Sequence, residues 1–477
     1  MDRAYLFLVL GCYPSLAHAV REFQVEADLP SVAFSIHGSA TSRVEAVIKD
    51  LELLGFPCAK ASDIISSSGC AVLFFSAVSN ELLEDVARFK TTQTLCLCVA
   101  LTIIPSSYLW RLIRAGASDV IADSLHIVGQ IAARMKRWHS TDLLLKSKRV
   151  ANYLVGTSFA WTRFLRQVVE VAAYTFAPVL IVGETGTGKD LLSRLIHSLD
   201  PRAERVDLVT VDCTTIVPEL SGSELFGHER GAFTGALTAR EGAFSLANKG
   251  TLFLDEVGEL PLSLQAQFLR AIQERTYKKV GGNIWHQTDF RLVCATNRDL
   301  EEEVQKGNFR ADLYYRLASW IFRPPPLRDR REDILPLARH FLASALPSEA
   351  EVEFDPVVAE HLMSRQYSGN VRELRQLVTR IGERHVGPGL ITAGDLPADE
   401  WPAFDQGASA TWPDAAFEES IRRGLAHGAE LRTIGQAASE TAIRLTVQSE
   451  QGNLQRAAKR LGITDRALQL RRASGQL

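Results

Sequence analysis

An apolar run from Ala177 to Val182 breaks into a turn made of Gly183, Glu184, Thr185, Gly186, Thr187, Gly188, Lys189 and Asp190. Few arrangements satisfy this stretch. The run reads as a buried strand, and the glycines let backbone N–H groups turn inward at the start of a helix. With the positive end of that helix and Lys189, the turn is a cradle for phosphate. Asp190 stands where such loops usually carry Ser or Thr. A second strand, TLFLDE, ends in Asp255 and Glu256. An acid at such a strand tip is where Mg²⁺ is held, and the next acid can orient and deprotonate an attacking water. Order and distance together point to an ATP- and Mg²⁺-using core rather than to an ordinary glycine turn and a capped helix.

Two further stretches belong to the same core. The strand RLVCATN ends in Thr296 and Asn297, whose amide can sense a γ-phosphate. Arg310 and Arg316 follow in FRADLYYRL. They read either as salt-bridging residues of a surface helix or as arginine fingers entering a neighbouring subunit's nucleotide site. A finger supplied in trans implies a ring.

A chain of 477 residues is too long for one core, and about three domains are expected. Hydrophobic content of 46% with 23% charged residues is that of an ordinary globular protein. No apolar run is long enough to span a bilayer, so no membrane is expected. The start, AYLFLVLG then SLAHA, imitates a secretion signal, but Asp2 and Arg3 cancel and the run is short; a first β-strand is the reading adopted. Seven cysteines without a CxxC spacing suggest neither a disulfide framework nor a zinc site. Cys96 and Cys98 fall on one face of a strand as small buried hydrophobes. A reducing cytoplasm is the expected compartment.

The first part of the chain alternates strands (AYLFLVL, CAVLFF, LCLCVAL, DVIA) with amphipathic helices (RVEAVIKDLELL, NELLEDVARF, YLWRLIRAGA). That alternation predicts an open parallel sheet with helices on both faces. A long helix, His126 to Lys146, leads out of it. The expected division is an N-terminal regulatory domain over 1–147, a larger α/β domain over 153–395, a linker over 396–418 and a helical domain over 419–477.

GETGTGKD, ELFGHERGAFTGA, GTLFLDEVGELP, ATNRDL, FRADLYYRL, PPLRDRREDI and GNVRELRQ follow one another in this chain. In this order they resemble the AAA+ domain of the sigma-54-dependent transcriptional activators, over about half of the chain. The implied fold class is α/β: an AAA+ P-loop ATPase with a helical lid, preceded by a receiver-like doubly wound parallel domain and followed by an all-α helix-turn-helix domain. The resemblance implies that Gly231, Ala232, Phe233, Thr234, Gly235 and Ala236 form a loop tip that touches sigma-54 when ATP is bound. The glycines would make the loop mobile, and an exposed Phe233 with Thr234 would be its contact chemistry. It also implies Lys189 on phosphate, Asp255 on Mg²⁺, Glu256 activating water and Asn297 sensing the γ-phosphate. Arg310 and Arg316 would act in trans, Arg372 would be a second sensor from the lid, and Val155 and Gly156 would lie near the adenine. The implied assembly is a dimer at rest and a hexameric or heptameric ring when active. An acid after the loop lysine is common in the family, which accounts for Asp190. Asp212 stands where the family usually has an Asn that restrains the catalytic Glu; two carboxylates there would repel unless one is protonated. Tyr367 and Ser368 replace a Trp-Pro pair, with a looser lid as the expectation.

The C-terminal stretch NLQRAAKRLGITDRALQLRR carries Arg456, Lys459, Arg460, Arg466, Arg471 and Arg472 against Asp465. Such a basic end suits nucleic acid. Its rhythm is that of a helix-turn-helix: Ala457, Ala458 and Leu461 pack, Gly462 turns, Ile463 plugs the junction and Thr464 caps the second helix. It is similar to the Fis-type DNA-binding end of the same family. Thr464, Arg466, Gln469, Arg471 and Arg472 are then expected to meet double-stranded DNA. The N-terminal domain resembles a response-regulator receiver in layout only. Gly11-Cys12 follows the strand taken as first, Ser76 follows CAVLFF, and no Lys follows DVIA; only Thr102 fits. Aspartyl phosphorylation is not expected. A small-ligand or cyclic-dinucleotide sensor, a partner-binding module and a dimerising domain stay open. The function expected is ATP-driven activation of sigma-54 RNA polymerase from enhancer-like DNA. The alternative is a DNA-binding regulator that uses nucleotide as a conformational ligand.

Overall fold

The computed structural model describes residues 29–38, 41–60, 70–92, 94–151, 154–200, 207–216, 221–345, 352–387, 389–401, 415–426, 428–450, 453–464, 466 and 468–469. The chain forms two compact units, Met1–Pro397 and Ala398–Leu477. No described helix is long and apolar enough to cross a membrane.

The first unit contains two five-stranded parallel sheets. The first is built from β1 (Val32–His37), β2 (Cys58–Lys60), β3 (Cys70–Phe75), β4 (Leu95–Ala100) and β5 (Asp119–Ala122), in the order β2-β1-β3-β4-β5. Around it run α1 (Thr41–Leu53), α2 (Asn80–Thr91), α3 (Ser106–Ala115) and α4 (Ile127–Lys146). The continuous apolar runs are explained by burial on both faces. Val72 and Phe74 point into a core with Val44, Val47 and Leu51 of α1 and Ile131 and Met135 of α4. The alternate residues Leu73 and Phe75, with Cys96 and Cys98, meet Leu82, Val86 and Leu112 of α2 and α3. The order is that of flavodoxin-like doubly wound sheets. The described sheet therefore begins at VAFSIH, which the periodicity reading passed over; its serine and histidine hide the strand. AYLFLVL lies outside the described residues.

α4 joins the two sheets. Its first turns fill the first core, while Leu144 enters a second core beside Val150 and Trp161. Helix α5 (Phe159–Tyr174) packs on it: Arg137 meets Glu170 at 2.7 Å, and Arg166 pairs with Asp142. The second sheet comprises β6 (Val179–Val182), β7 (Val209–Asp212), β8 (Thr251–Asp255), β9 (Arg291–Thr296) and β10 (Trp320–Phe322), ordered β10-β6-β9-β8-β7. Helices α6 (Lys189–Ser198), α7 (Leu262–Glu274) and α8 (Ala311–Leu317) belong to this layer. Leu252 and Leu254 face one core and Phe253 the other, so the sheet is again covered on both sides.

A helical lid follows, made of α9 (Ile334–Ala345), α10 (Pro356–Ser364) and α11 (Asn370–Arg384) around Leu337, Leu362, Leu374 and Ile381. Tyr367 is part of its core: the ring is buried and the hydroxyl donates to the Leu362 carbonyl at 2.8 Å.

In the second unit, α12 (Ala415–Ala426), α13 (Leu431–Ser449) and α14 (Leu454–Leu461) are described. Asn453 caps α14 by accepting from the Arg456 N–H at 3.2 Å, and Gly462 ends it in the left-handed conformation. Ala457, Ala458 and Leu468 form the small core. Ile463, at the turn, is 40% exposed. Thr464, Arg466 and Gln469 are exposed, whereas Arg471 and Arg472 lie outside the described residues. Most of the expected linker, 402–414, lies outside them too.

Candidate functional site

The loop after β6 folds as its glycines require. Gly186 has φ +78°, and a Cβ there would stand 2.1 Å from the Gly369 carbonyl oxygen. Glycine is thus needed both for the turn and for the approach of the lid. Thr187 Oγ1 donates to the Glu184 carbonyl at 2.8 Å, and Lys189 begins α6. Thr185 offers its carbonyl to Asn370 Nδ2 at 3.1 Å.

Lys189 is nearly buried, and its Nζ donates to the Gly183 carbonyl at 2.9 Å. The same ammonium pairs with Glu256 Oε1 at 3.3 Å. The other oxygen, Oε2, accepts from the Asn297 N–H at 2.9 Å. Glu256 itself has φ +50°, an unusual backbone for a non-glycine residue. Groups that follow three strands (the Lys189 ammonium after β6, the Glu256 carboxylate after β8 and the Asn297 N–H after β9) therefore converge at one edge of the sheet. Asp255 Oδ1 accepts from the Glu256 N–H at 3.0 Å. Burial first, and then repulsion from Asp190 and Glu256, push the Asp255 carboxyl above its usual range. A cation would relieve that cost, which is the behaviour a metal ligand should have. Among the described residues no cluster of three or more His, Cys, Asp or Glu is arranged for a metal. Mg²⁺ needs none, because it takes one or two carboxylates plus phosphates and water.

Asp212 is held on its own turn. It lies beside Asp255 in the β7–β8 register, but its Oδ1 accepts from the Thr214 N–H at 2.9 Å and from Thr214 Oγ1 at 2.7 Å. It caps a turn, and Lys189 with the Asn297 N–H restrains Glu256 instead.

Lid and loop are in contact. The Val371 N–H donates to the Gly186 carbonyl at 3.0 Å, and a Cβ on Gly186 would stand 2.9 Å from Cβ of Arg372. Within the loop, the Glu184 carboxylate turns to Arg328 and Asn370. Both partners lie in motifs visible in the sequence, PPLRDRREDI and GNVREL, where neither had been given a role. Val155 packs on the lid core, and Gly156 precedes Thr157 and Ser158, whose N–H groups donate to Asp333. Arg310 is ion-paired with Asp312 at 2.8 Å within its own subunit, and Arg316 makes a long 3.5 Å contact to the Ile272 carbonyl.

The stretch 231–236 sits in a hairpin closed by Gly227–His228 against Arg240–Glu241. Gly231 N–H donates to the Ala236 carbonyl at 2.8 Å. Phe233 is half-buried rather than exposed: its ring meets the edge of His228 at 5.0 Å. His228 is fixed at both nitrogens, by Ser223 Oγ at 2.7 Å and the Thr238 carbonyl at 3.0 Å. Leu237, outside the motif, is the exposed apolar residue, at 82%. Thr234 and Gly235 are exposed, while Ala236 is buried and Ala232 half-buried.

Residues 154–322 match the family model described as the sigma-54 interaction domain, and residues 328–409 match that of the AAA+ ATPase lid domain. Regulatory protein AtoC of Escherichia coli K12 is 38% identical over 406 residues, covering 81% of this chain and 83% of AtoC. The chain belongs to the sigma-54-dependent activator family. Response regulator protein PilR of Pseudomonas aeruginosa is another such regulator, 38% identical over 75% of this chain and 78% of its own. A solved structure of NtrX from Brucella abortus in complex with ATP aligns with a TM-score of 0.49 and 25% identity, over 94% of this chain and 99% of that one. The strand-tip edge described above thus belongs to an AAA+ ATPase-type core of a transcription regulator.

Proposed function

We propose that this protein binds enhancer-like DNA, hydrolyses ATP in a ring and uses the 231–236 loop to remodel sigma-54 RNA polymerase into the open complex. The observation that carries the reading is the convergence of Lys189, Glu256 and the Asn297 N–H beside the half-buried Asp255, on the same core as that loop. Gly183 to Asp190 form the phosphate cradle, with Mg²⁺ on Asp255. Once phosphate occupies Lys189, Glu256 loses the partner on Oε1 and is free to accept a proton from water. Asn297 reads the γ-phosphate, Arg372 approaches it from the lid, and Val155 and Gly156 border the adenine. Arg316, weakly held, is the better candidate for a finger in trans; Arg310 must first leave Asp312.

The proposed division is 1–147, 153–395, 396–418 and 419–477, with a dimer at rest and a hexamer or heptamer when active. Thr464, Arg466, Gln469, Arg471 and Arg472 are assigned to DNA. The N-terminal sheet is read as a receiver-like domain that answers a non-phosphoryl signal, since Ser76 directly follows β3. Steady-state ATP turnover by the full chain, measured beside transcription from a sigma-54 promoter, tests the reading. Nucleotide binding without turnover would favour a regulator for which ATP is a ligand only.

A further inference from the structure

Glu184 is the second residue of the phosphate-binding loop, yet its side chain leaves the loop. Its Oε1 accepts from Arg328 Nη2 at 2.6 Å and its Oε2 from Nη1 at 2.8 Å. Oε2 also accepts from Asn370 Nδ2 at 3.1 Å. Arg328 lies in the turn Leu327–Asp329 that enters the lid, and Asn370 is the first residue of α11. Asn370 is completely buried with φ +51°, a conformation that must be held in place by its surroundings. Its Nδ2 donates to the Thr185 carbonyl at 3.1 Å and its Oδ1 accepts from the Leu327 N–H at 2.8 Å. Two residues on stands Arg372. One carboxylate and one carboxamide thereby join the loop to the entry of the lid and to the start of α11.

We propose that Glu184 is a positioning residue: a latch that fixes the lid, and with it Arg372, against the phosphate-binding loop. The proposal rests on the reading that Arg372 meets the nucleotide's outer phosphate. A bidentate fork sets direction as well as distance, so lid and loop move as one piece while the latch is closed. Two hydrogen bonds from Arg328 and one from Asn370 hold the Glu184 carboxyl down to about 2, below the range in which an ordinary Glu protonates.

The test uses the full chain, with ATP and ADP as probes. Glu184→Gln should weaken ATP about tenfold, within the usual range of coupling between sites, and ADP much less. In an Arg372→Ala background the same change should cost less than about twofold, since a latch acting through Arg372 has nothing left to position. Exchanging the partners, Glu184→Arg with Arg328→Glu, should recover a large part of the lost ATP affinity. Arg328→Lys keeps the charge without the fork and should behave like Glu184→Gln. Losses that multiply in the double variant, or no ATP-over-ADP preference in the loss, overturn the latch and leave the ATPase reading intact. An Arg372→Ala protein with unchanged ATP affinity and turnover removes the assigned role of Arg372 itself, and the latch falls with it.

Discussion

The two sheets of the first unit are the same object with different ends. Each has five parallel strands, and each is buried on both faces by helices. In such sheets ligands bind at the carboxyl ends of the strands. At that edge the second sheet carries Lys189, Asp255 and Glu256, brought together around one point. The first sheet presents His37, Ser76 and Thr102, with Thr102 Oγ1 donating to the Ser76 carbonyl at 2.7 Å. Among the described residues there, Arg43 pairs with Asp123 at 3.1 Å, and His37 Nε2 lies 3.2 Å from Asp85 Oδ2. Architecture is therefore shared, while reactivity depends on the few residues just past each strand.

The sharpest way to break this contrast is at Glu256. Glu256→Gln should bind ATP normally and lose turnover by about 10²–10⁴-fold, the usual contribution of a general base. Turnover and nucleotide binding on one preparation decide it, and near-normal turnover would return this edge to the rank of the first sheet. Next in size is the loop. Phe233→Ala removes a ring that packs on His228 and touches nothing in the nucleotide site. Affinity for sigma-54 in an ATP transition-state mimic should fall about thirtyfold, a hot-spot loss of about 2 kcal/mol, with ATPase and DNA binding retained. Loss of all three together would make Phe233 part of the fold.

A smaller effect concerns stability. The Asp255 carboxyl is held above its usual range by burial and by neighbouring carboxylates. Its ionised form is thus disfavoured in the folded chain, and that penalty is present at neutral pH and vanishes below the unfolded carboxylate range. Asp255→Asn without Mg²⁺ should stabilise the protein by about 1 kcal/mol at pH 7, or about 2–4 °C for a domain of this size. The gain should disappear towards pH 3 while hydrolysis is lost at all pH values. Thermal unfolding at several pH values measures it; a destabilised variant would mean that Asp255 serves the fold.

How much of this was legible depended on where partners lie in the chain. Asp255 and Glu256 announced themselves at the tip of an apolar strand, and Lys189 at the end of the glycine turn that follows another. The bond between the Asn297 N–H and Glu256 could not be read, since backbone groups carry no residue signature. Glu184, Arg328 and Asn370 come together from three distant segments, so their clamp needed the fold. Phe233 was expected to be exposed because nothing in GAFTGA covers it; His228, three residues upstream of Gly231, does. The strand Val32–His37 escaped because His37 and Ser35 interrupt its apolar pattern, yet both are tolerated near its open end.

The smallest effect expected is at the first sheet's edge, and it tests the comparison from the other side. A phosphoacceptor needs a carboxylate after β3 and charges free to bind a cation and phosphate. Ser76 supplies a hydroxyl, and the Cβ that Gly38 lacks would sit only 2.9 Å from its Oγ, so the space around it is narrow. Thr102 is turned towards the Ser76 carbonyl, and Arg43 and Asp123 satisfy each other. Incubation with acetyl phosphate and Mg²⁺ should therefore leave no base-labile phosphoryl label on residues 1–147. Ser76→Ala should change ATP turnover and promoter activity by less than about twofold, as surface changes away from special features usually lie within about 0.5 kcal/mol. The measurement is the stoichiometry of label on the intact protein, followed by peptide mapping. A stoichiometric aspartyl label would mean that the first edge is chemically alive, and the contrast between the two sheets would then be one of substrate rather than of reactivity.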